Sequence, residues 1–157
     1  MSPLLEKWKD YFQKPDRITR RVFVAAKGCC AIEVENLIAS TYDIQRLGID
    51  FVQDPRSASL MIVSGWIDDS FADEIIENYA YLEQDKKVVA VGICSVAANI
   101  FYTEKKIRLA DLVPVASYIP GCPPRPEAMI QAILNLDVPA KKTKKMTYLS
   151  EVMKSNG

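Results

Sequence analysis

The chain has 157 residues, 49% apolar and 25% charged, with 20 Lys and Arg set against 20 Asp and Glu. One globular domain with a real core fits those numbers, and a net charge of zero gives no case for nucleic acid as a partner. No apolar run reaches the ~18 residues of a membrane span, and the charged start from Met1 to Asp10 is unlike a signal peptide, so a cytoplasmic chain with reduced thiols is expected.

Residues 3–13 put Leu4, Leu5, Trp8, Tyr11 and Phe12 on one helical face and Lys7, Lys9 and Asp10 mainly on the other. Such a helix packs on its own domain, or docks a larger partner or a membrane surface; we read segment 1–20 as an N-terminal amphipathic docking helix. Arg21 to Ala26 is a short strand that ends at Lys27-Gly28-Cys29-Cys30. Residues 31–40 follow as a helix, with Glu33 near its start to suit the positive end of the dipole. Ile49 to Val52 is a short strand. The run from Ser59 to Gly65 is almost continuously apolar, the mark of a buried parallel strand. Asp68 or Asp69 caps a helix that runs to about Leu82. Lys87 to Gly92 is another buried strand and ends at Cys94. Asp111 to Ile119 holds the last strand, which ends at Cys122 and is stopped by Pro123 and Pro124. Pro126 sits in the first turn of a final helix, Glu127 to Leu136. The tail at 138–157 carries Lys141, Lys142, Lys144 and Lys145 and reads as a solvated basic end.

Strands alternating with helices predict an α/β fold: a doubly wound, mostly parallel, flavodoxin-like sheet with helices on both faces. The four cysteines, Cys29, Cys30, Cys94 and Cys122, then fall just past the carboxyl ends of three strands. Open α/β sheets bind their ligands in that crevice. Each cysteine has a glycine close by, at Gly28, Gly92 and Gly121, which lets backbone approach a bulky group and aim amides at its sulfurs. Four thiolates suit an iron–sulfur cubane or a closed zinc site. Zinc knuckles usually show C-x(2–4)-C spacing, which this chain lacks, and adjacent Cys29 and Cys30 pair as a disulfide only with strain. Without histidine or a Gly-rich phosphate loop, the chain has no catalytic set of its own. An iron–sulfur electron carrier and a zinc-stabilised interaction module both stand at this point.

Five strings carry a further signal: Gly28-Cys-Cys-Ala-Ile-Glu33; Tyr42-Asp43-x-x-Arg46-x-Gly48; Pro55-Arg56 with Ala58 before Leu60-Met-Ile-Val-Ser-Gly65; Gly92-x-Cys94; and Ile119-Pro-Gly-Cys-Pro-Pro-Arg-Pro-Glu127. In this order and spacing they resemble the 20 kDa subunit of respiratory complex I, the B-type subunits of NADH-quinone oxidoreductases, a family related to the small subunits of [NiFe] hydrogenases. The resemblance covers about residues 21–136. It implies one [4Fe–4S] cluster held by Cys29, Cys30, Cys94 and Cys122 in a domain at 21–137. It further implies a cluster that is the last of a chain and hands electrons to an acceptor at the interface with a larger catalytic subunit, 49 kDa-like or hydrogenase large-like. A ferredoxin-like cluster subunit and membrane-arm subunits would complete a complex in which this chain is peripheral, on the cytoplasmic face. Glu33, Tyr42, Asp43 and Arg46 match positions that line the cluster surroundings or the partner interface, and Arg125 would pair a carboxylate. Lys27, beside the site, would favour the reduced state. Hydrogenase small subunits place Cys-x-x-Cys where this chain has Lys27 to Cys30, so the tandem cysteines resemble the complex I branch; a membrane-bound group 4 [NiFe] hydrogenase small subunit or a sulfur-reducing relative is the alternative. Three segments depart from the family pattern: Ser40-Thr41, Ser95 to Asn99, and Trp66-Ile-Asp-Asp69. They border the acceptor cavity and leave open whether the acceptor is a quinone or, as in archaeal ferredoxin-driven membrane oxidoreductases, a sulfur compound.

Overall fold

The structure, a computed structural model, describes residues 20–39, 42–98 and 106–136. The amphipathic segment at 3–13, the basic tail at 138–157, and Ser40, Thr41 and Asn99 lie outside the described residues. In chain order the elements are β1 (Arg20–Ala26), α1 (Cys29–Ile38), β2 (Ile49–Val52), β3 (Leu60–Ser64), α2 (Asp69–Tyr81), β4 (Lys87–Val91), α3 (Ile93–Ala97), α4 (Leu109–Leu112), β5 (Ser117–Ile119) and α5 (Pro126–Asn135), with 3-10 turns at Ile44–Leu47 and Pro55–Ser57.

The strands form one sheet in the order β2-β1-β3-β4-β5, and every pairing is parallel. The fold is the doubly wound, flavodoxin-like α/β architecture expected from the alternation. β3 is central and all five of its residues are buried, as its apolar run requires when helices cover both faces. Two apolar layers flank the sheet. One packs Val22, Ile62, Val89 and Val91 under Val34 and Leu37 of α1 and Met129 and Ile133 of α5. The other packs Ala25, Met61, Val63 and Ala90 under Phe71 and Ile75 of α2 and Leu109 of α4. Alternate residues of each strand therefore serve opposite layers, as the pleat dictates. Among the described residues no helix is long and apolar enough to cross a membrane.

The register levels the strand ends. Ala26 lies opposite Ser64, Ser64 opposite Val91, and Val91 opposite Ile119. The loops after β1, β4 and β5 thus open at one edge. The strand order reverses between β1 and β3, so this edge carries the switch point where open α/β sheets bind ligands.

Three elements differ from the sequence expectation. The helix placed at 31–40 begins at Cys29 and ends at Ile38. Gly28 turns the chain sharply enough, at φ 68°, for helix geometry to start at once. Glu33 consequently lies beyond the first turn, which holds no acidic residue, and the dipole falls off over that distance. The last strand is confined to Ser117–Ile119. The residues before it form α4, which Asp111 starts by accepting the Arg108 amide at 3.2 Å. The segment around Cys94 is a helix, α3, too short for its periodicity to show.

Candidate functional site

Cys29 and Cys30 are the first two residues of α1, Cys94 is the second of α3, and Cys122 follows β5. Cys30 and Cys94 are buried, Cys29 and Cys122 are exposed, and none is in a disulfide. The structure brings all four together. Burial first, and then the neighbouring Cys29 and a hydrogen bond with it, push the Cys30 thiol up to about 12, with Cys94 and Cys122 adding to the rise. Cys122 is also pushed up, by partial desolvation first and then by Cys29 and Cys94. Four cysteines crowded at one strand edge would repel one another as thiolates, and a cationic group between them would offset that cost. The donor set therefore fits an iron–sulfur group chemically. Among the described residues, no three or more Cys, His, Asp or Glu side chains are arranged as they stand to hold a metal ion.

The glycines fit the same reading, with one correction. At Gly92 (φ 90°) an added Cβ would lie 2.5 Å from Cys30 Sγ, so only glycine leaves room for that thiol. Its amide is not aimed at sulfur, however. Gly92 N–H donates to Ile119 O at 2.9 Å and Ile93 N–H to Gly121 O at 2.8 Å. These bonds lock the Cys94 loop to the Cys122 loop, so the amides position the two thiols instead of bonding them. At the floor of the edge, Ser64 Oγ is fully buried and has no hydrogen-bond partner. Ser64 alternates with Ile62 and so faces the layer that contains α1. A buried orphan hydroxyl beneath the thiol site is the kind of polar atom that a bound group satisfies.

Ala98 ends α3 at φ 61° and ψ 149°, a region essentially reserved for glycine, and it is buried. It falls in the segment Ser95 to Asn99, which departs from the expected glycine-rich pattern.

Lys27 is not the bare charge that the sequence suggested. Its ammonium donates to Asp68 Oδ2 at 2.6 Å and lies 4.0 Å over the Trp66 ring. Asp68 also caps α2 by accepting the Phe71 amide at 2.8 Å. Lys27 and the Phe71 amide together hold the Asp68 carboxyl below its ordinary value, the Lys27 hydrogen bond being the larger cause.

The remaining expected positions form two surface groups. Tyr42 lies near Glu127, with its hydroxyl 3.5 Å from Glu127 Oε1. Desolvation first, then Glu127 and Glu33, push the Tyr42 phenol up, while Arg125 opposes them. Arg125 reaches the Glu127 carboxylate of its own chain at 4.0 Å, and both side chains are exposed. Asp43 and Arg46 form a separate exposed pair at 3.4 Å across one 3-10 turn.

Residues 28–136 match the family described as the NADH ubiquinone oxidoreductase 20 kDa subunit. The chain belongs to that family. Its relatives include the NAD(P)H-quinone oxidoreductase subunit K 2 of Gloeobacter violaceus, 41% identical over 69% of this chain and 45% of that protein. A B-type subunit of the NADH-quinone oxidoreductase of Rhizobium meliloti is 33% identical over 76% of this chain and 72% of that protein. The chain spans about half the length of several curated relatives it matches. A solved structure described as the membrane-bound sulfane sulfur reductase, an archaeal respiratory membrane complex, is similar with a TM-score of 0.64 and 27% identity. That similarity covers 99% of this chain and 89% of the other.

Four residues near the site have roles that the sequence pattern alone does not show. Glu127 is the common partner of Tyr42 and Arg125. Trp66 and Asp68, a departure from the family pattern and a helix cap by sequence, also bracket Lys27. Ser64 was read only as the end of an apolar strand; the polar residue closing that run was the available signal.

Proposed function

We propose that this chain is the electron-transfer subunit of a membrane-associated, complex I-like oxidoreductase, and that Cys29, Cys30, Cys94 and Cys122 hold its one [4Fe–4S] cluster. The observation that carries this reading is the gathering of four thiols from three loops at the carboxyl edge of the sheet. Family membership supports it independently. When bound, such a cluster takes up and releases one electron at a time at a potential set by its surroundings.

The chain's own residues supply position and environment. Gly28 and Gly92 set the loops, the bonds from Gly92 and Ile93 fix the third ligand relative to the fourth, and the buried Cys30 and Cys94 anchor the inner side. Cys29 and Cys122 remain exposed, which suits an edge covered by a larger catalytic subunit. A ferredoxin-like cluster subunit would donate, and membrane-arm subunits would hold the assembly on the cytoplasmic face. Within this reading the cluster is the last of its chain, and the acceptor lies at the large-subunit interface. Quinone fits the relatives' names. A sulfur compound is the second reading, favoured by the similarity to the sulfane sulfur reductase complex over nearly the whole chain.

The test is anaerobic purification of the full chain, alone and with its large-subunit partner, followed by iron and sulfide analysis and EPR of the reduced protein. A brown protein with four irons and a cubane signal is expected, as the [4Fe–4S] formula requires. Single Cys→Ser variants at each of the four positions should lower the iron content. A colourless protein with one zinc would overturn the reading in favour of the interaction module.

A further inference from the structure

The β3–α2 loop reaches across the sheet edge to the loop that carries the tandem cysteines. Gly65 packs so tightly on the Lys27 carbonyl that a side chain there would overlap it. Next along, the indole edge of Trp66 lies on Gly28: a Cβ built on that glycine would sit 3.1 Å from Trp66 Cδ1 and 3.2 Å from Nε1. The opposite requirement, that the ring itself stay put, is met by Lys27. Its ammonium lies 4.0 Å over the Trp66 ring and 5.5 Å from the Phe71 ring centroid. Asp68 holds that ammonium at 2.6 Å. A cation over an indole face is worth about 0.5–2 kcal/mol, enough to hold a half-buried ring in one place.

We infer that Trp66 is a positioning residue: its indole, held by the Lys27–Asp68 pair, presses on Gly28 and fixes where Cys29 and Cys30 leave the strand. Gly28 is the hinge of that turn, since its positive φ starts α1 directly at the first thiol. A shift of the Gly28 backbone moves both thiols together, whereas Cys94 hangs on a different loop, tied to Gly121. The ring, not just an apolar filler, is required, because both the edge contact and the cation–π contact depend on an extended flat surface. The role deepens the cluster reading above, yet its first test needs no cluster.

Cys30 and Cys94 are equally buried, at 2% and 3% exposed, so each reports on its own surroundings when compared with its own wild-type rate. In the apo chain, iodoacetamide labelling of each is followed by mass spectrometry of peptides. Trp66→Ala should speed labelling of Cys30 several-fold and leave Cys94 unchanged, and Trp66→Phe should restore most of the slow rate. Equal acceleration at both cysteines would mean a general loss of stability and would overturn the inference, as would no change at either. In the reconstituted protein, Trp66→Ala should also shift the midpoint potential and the EPR line shape relative to wild type; identical values in the two would count against a positioning role. If the wild-type chain builds no cluster, the cluster reading fails while the labelling result still decides the role of Trp66.

Discussion

Asp68 receives a hydrogen bond from the Lys27 ammonium and another from the Phe71 amide. Both favour its charged form, so its carboxyl titrates below the ordinary value. The sign follows from linkage. The unfolded chain binds this proton at a higher pH than the folded chain does, so the contribution is complete above the unfolded value. It is lost as pH falls through the folded one. Asp68→Asn keeps an acceptor for the Phe71 amide and removes the charge. At neutral pH the variant should melt at a lower temperature, by about 0.2–1 kcal/mol of stability given that the pair is more than a third exposed. The gap should narrow as the pH falls below the ordinary aspartate value of about 3.9 and close only once it has passed below the folded value. A gap independent of pH in thermal melts would sink the argument. Single residues are also where the sequence was least legible. Asp68 could be read as a cap because capping is local in sequence, but its pairing with Lys27 joins residues brought together only by the sheet. The same holds for Glu127 beside Tyr42, and for the orphan hydroxyl of Ser64.

The loops at the carboxyl edge are set by backbone conformation, and Gly92 is the sharpest case. It combines φ 90° with a Cβ position 2.5 Å from Cys30 Sγ. Gly92→Ala should therefore displace a thiol of α1 from a residue on the neighbouring β4 loop. Backbone strain of this kind costs about 1–3 kcal/mol. Gly48→Ala is the control, because Gly48 is also left-handed, at φ 76°, but caps the 3-10 turn Ile44–Leu47. Iron content after anaerobic purification should fall in the Gly92 variant and hold in the Gly48 variant; equal iron in both would refute the steric link to Cys30. At this scale the strands were easy to read. β3 and β4 are buried on both faces, so their apolar runs are continuous. α3 was not, since a helix of five residues between Gly92 and Ala98 completes too few turns to leave a period. β5 is shorter than its apolar residues suggest: the chain meets β4 only from Ala116, whose amide donates to Val88 O at 2.8 Å, and the ladder itself spans Ser117–Ile119.

Two apolar layers close the sheet above and below, which leaves the carboxyl edge as the place where chemistry-bearing groups meet solvent. That edge is incompletely covered. Cys29 and Cys122 are exposed there, and Ile32, a turn along α1 from Cys29, is 63% exposed. An isoleucine that open, beside two exposed thiols, suits contact with the larger subunit proposed above. Ile76 offers the comparison, at 46% exposed on α2, which packs against the opposite layer. Ile32→Asp should weaken association with the larger subunit by about 1–3 kcal/mol, in the range of a truncated interface anchor or a buried unpaired charge. Ile76→Asp should leave association unchanged. Both positions are surface sites on helices, so neither substitution should lower the melting temperature of the isolated chain appreciably. Co-purification from a co-expression strain, with binding measured by titration, separates the cases. Loss of binding with Ile76→Asp alone would move the partner to the α2 face and away from the thiols. The Cys29 edge could not then be the route by which electrons leave this subunit.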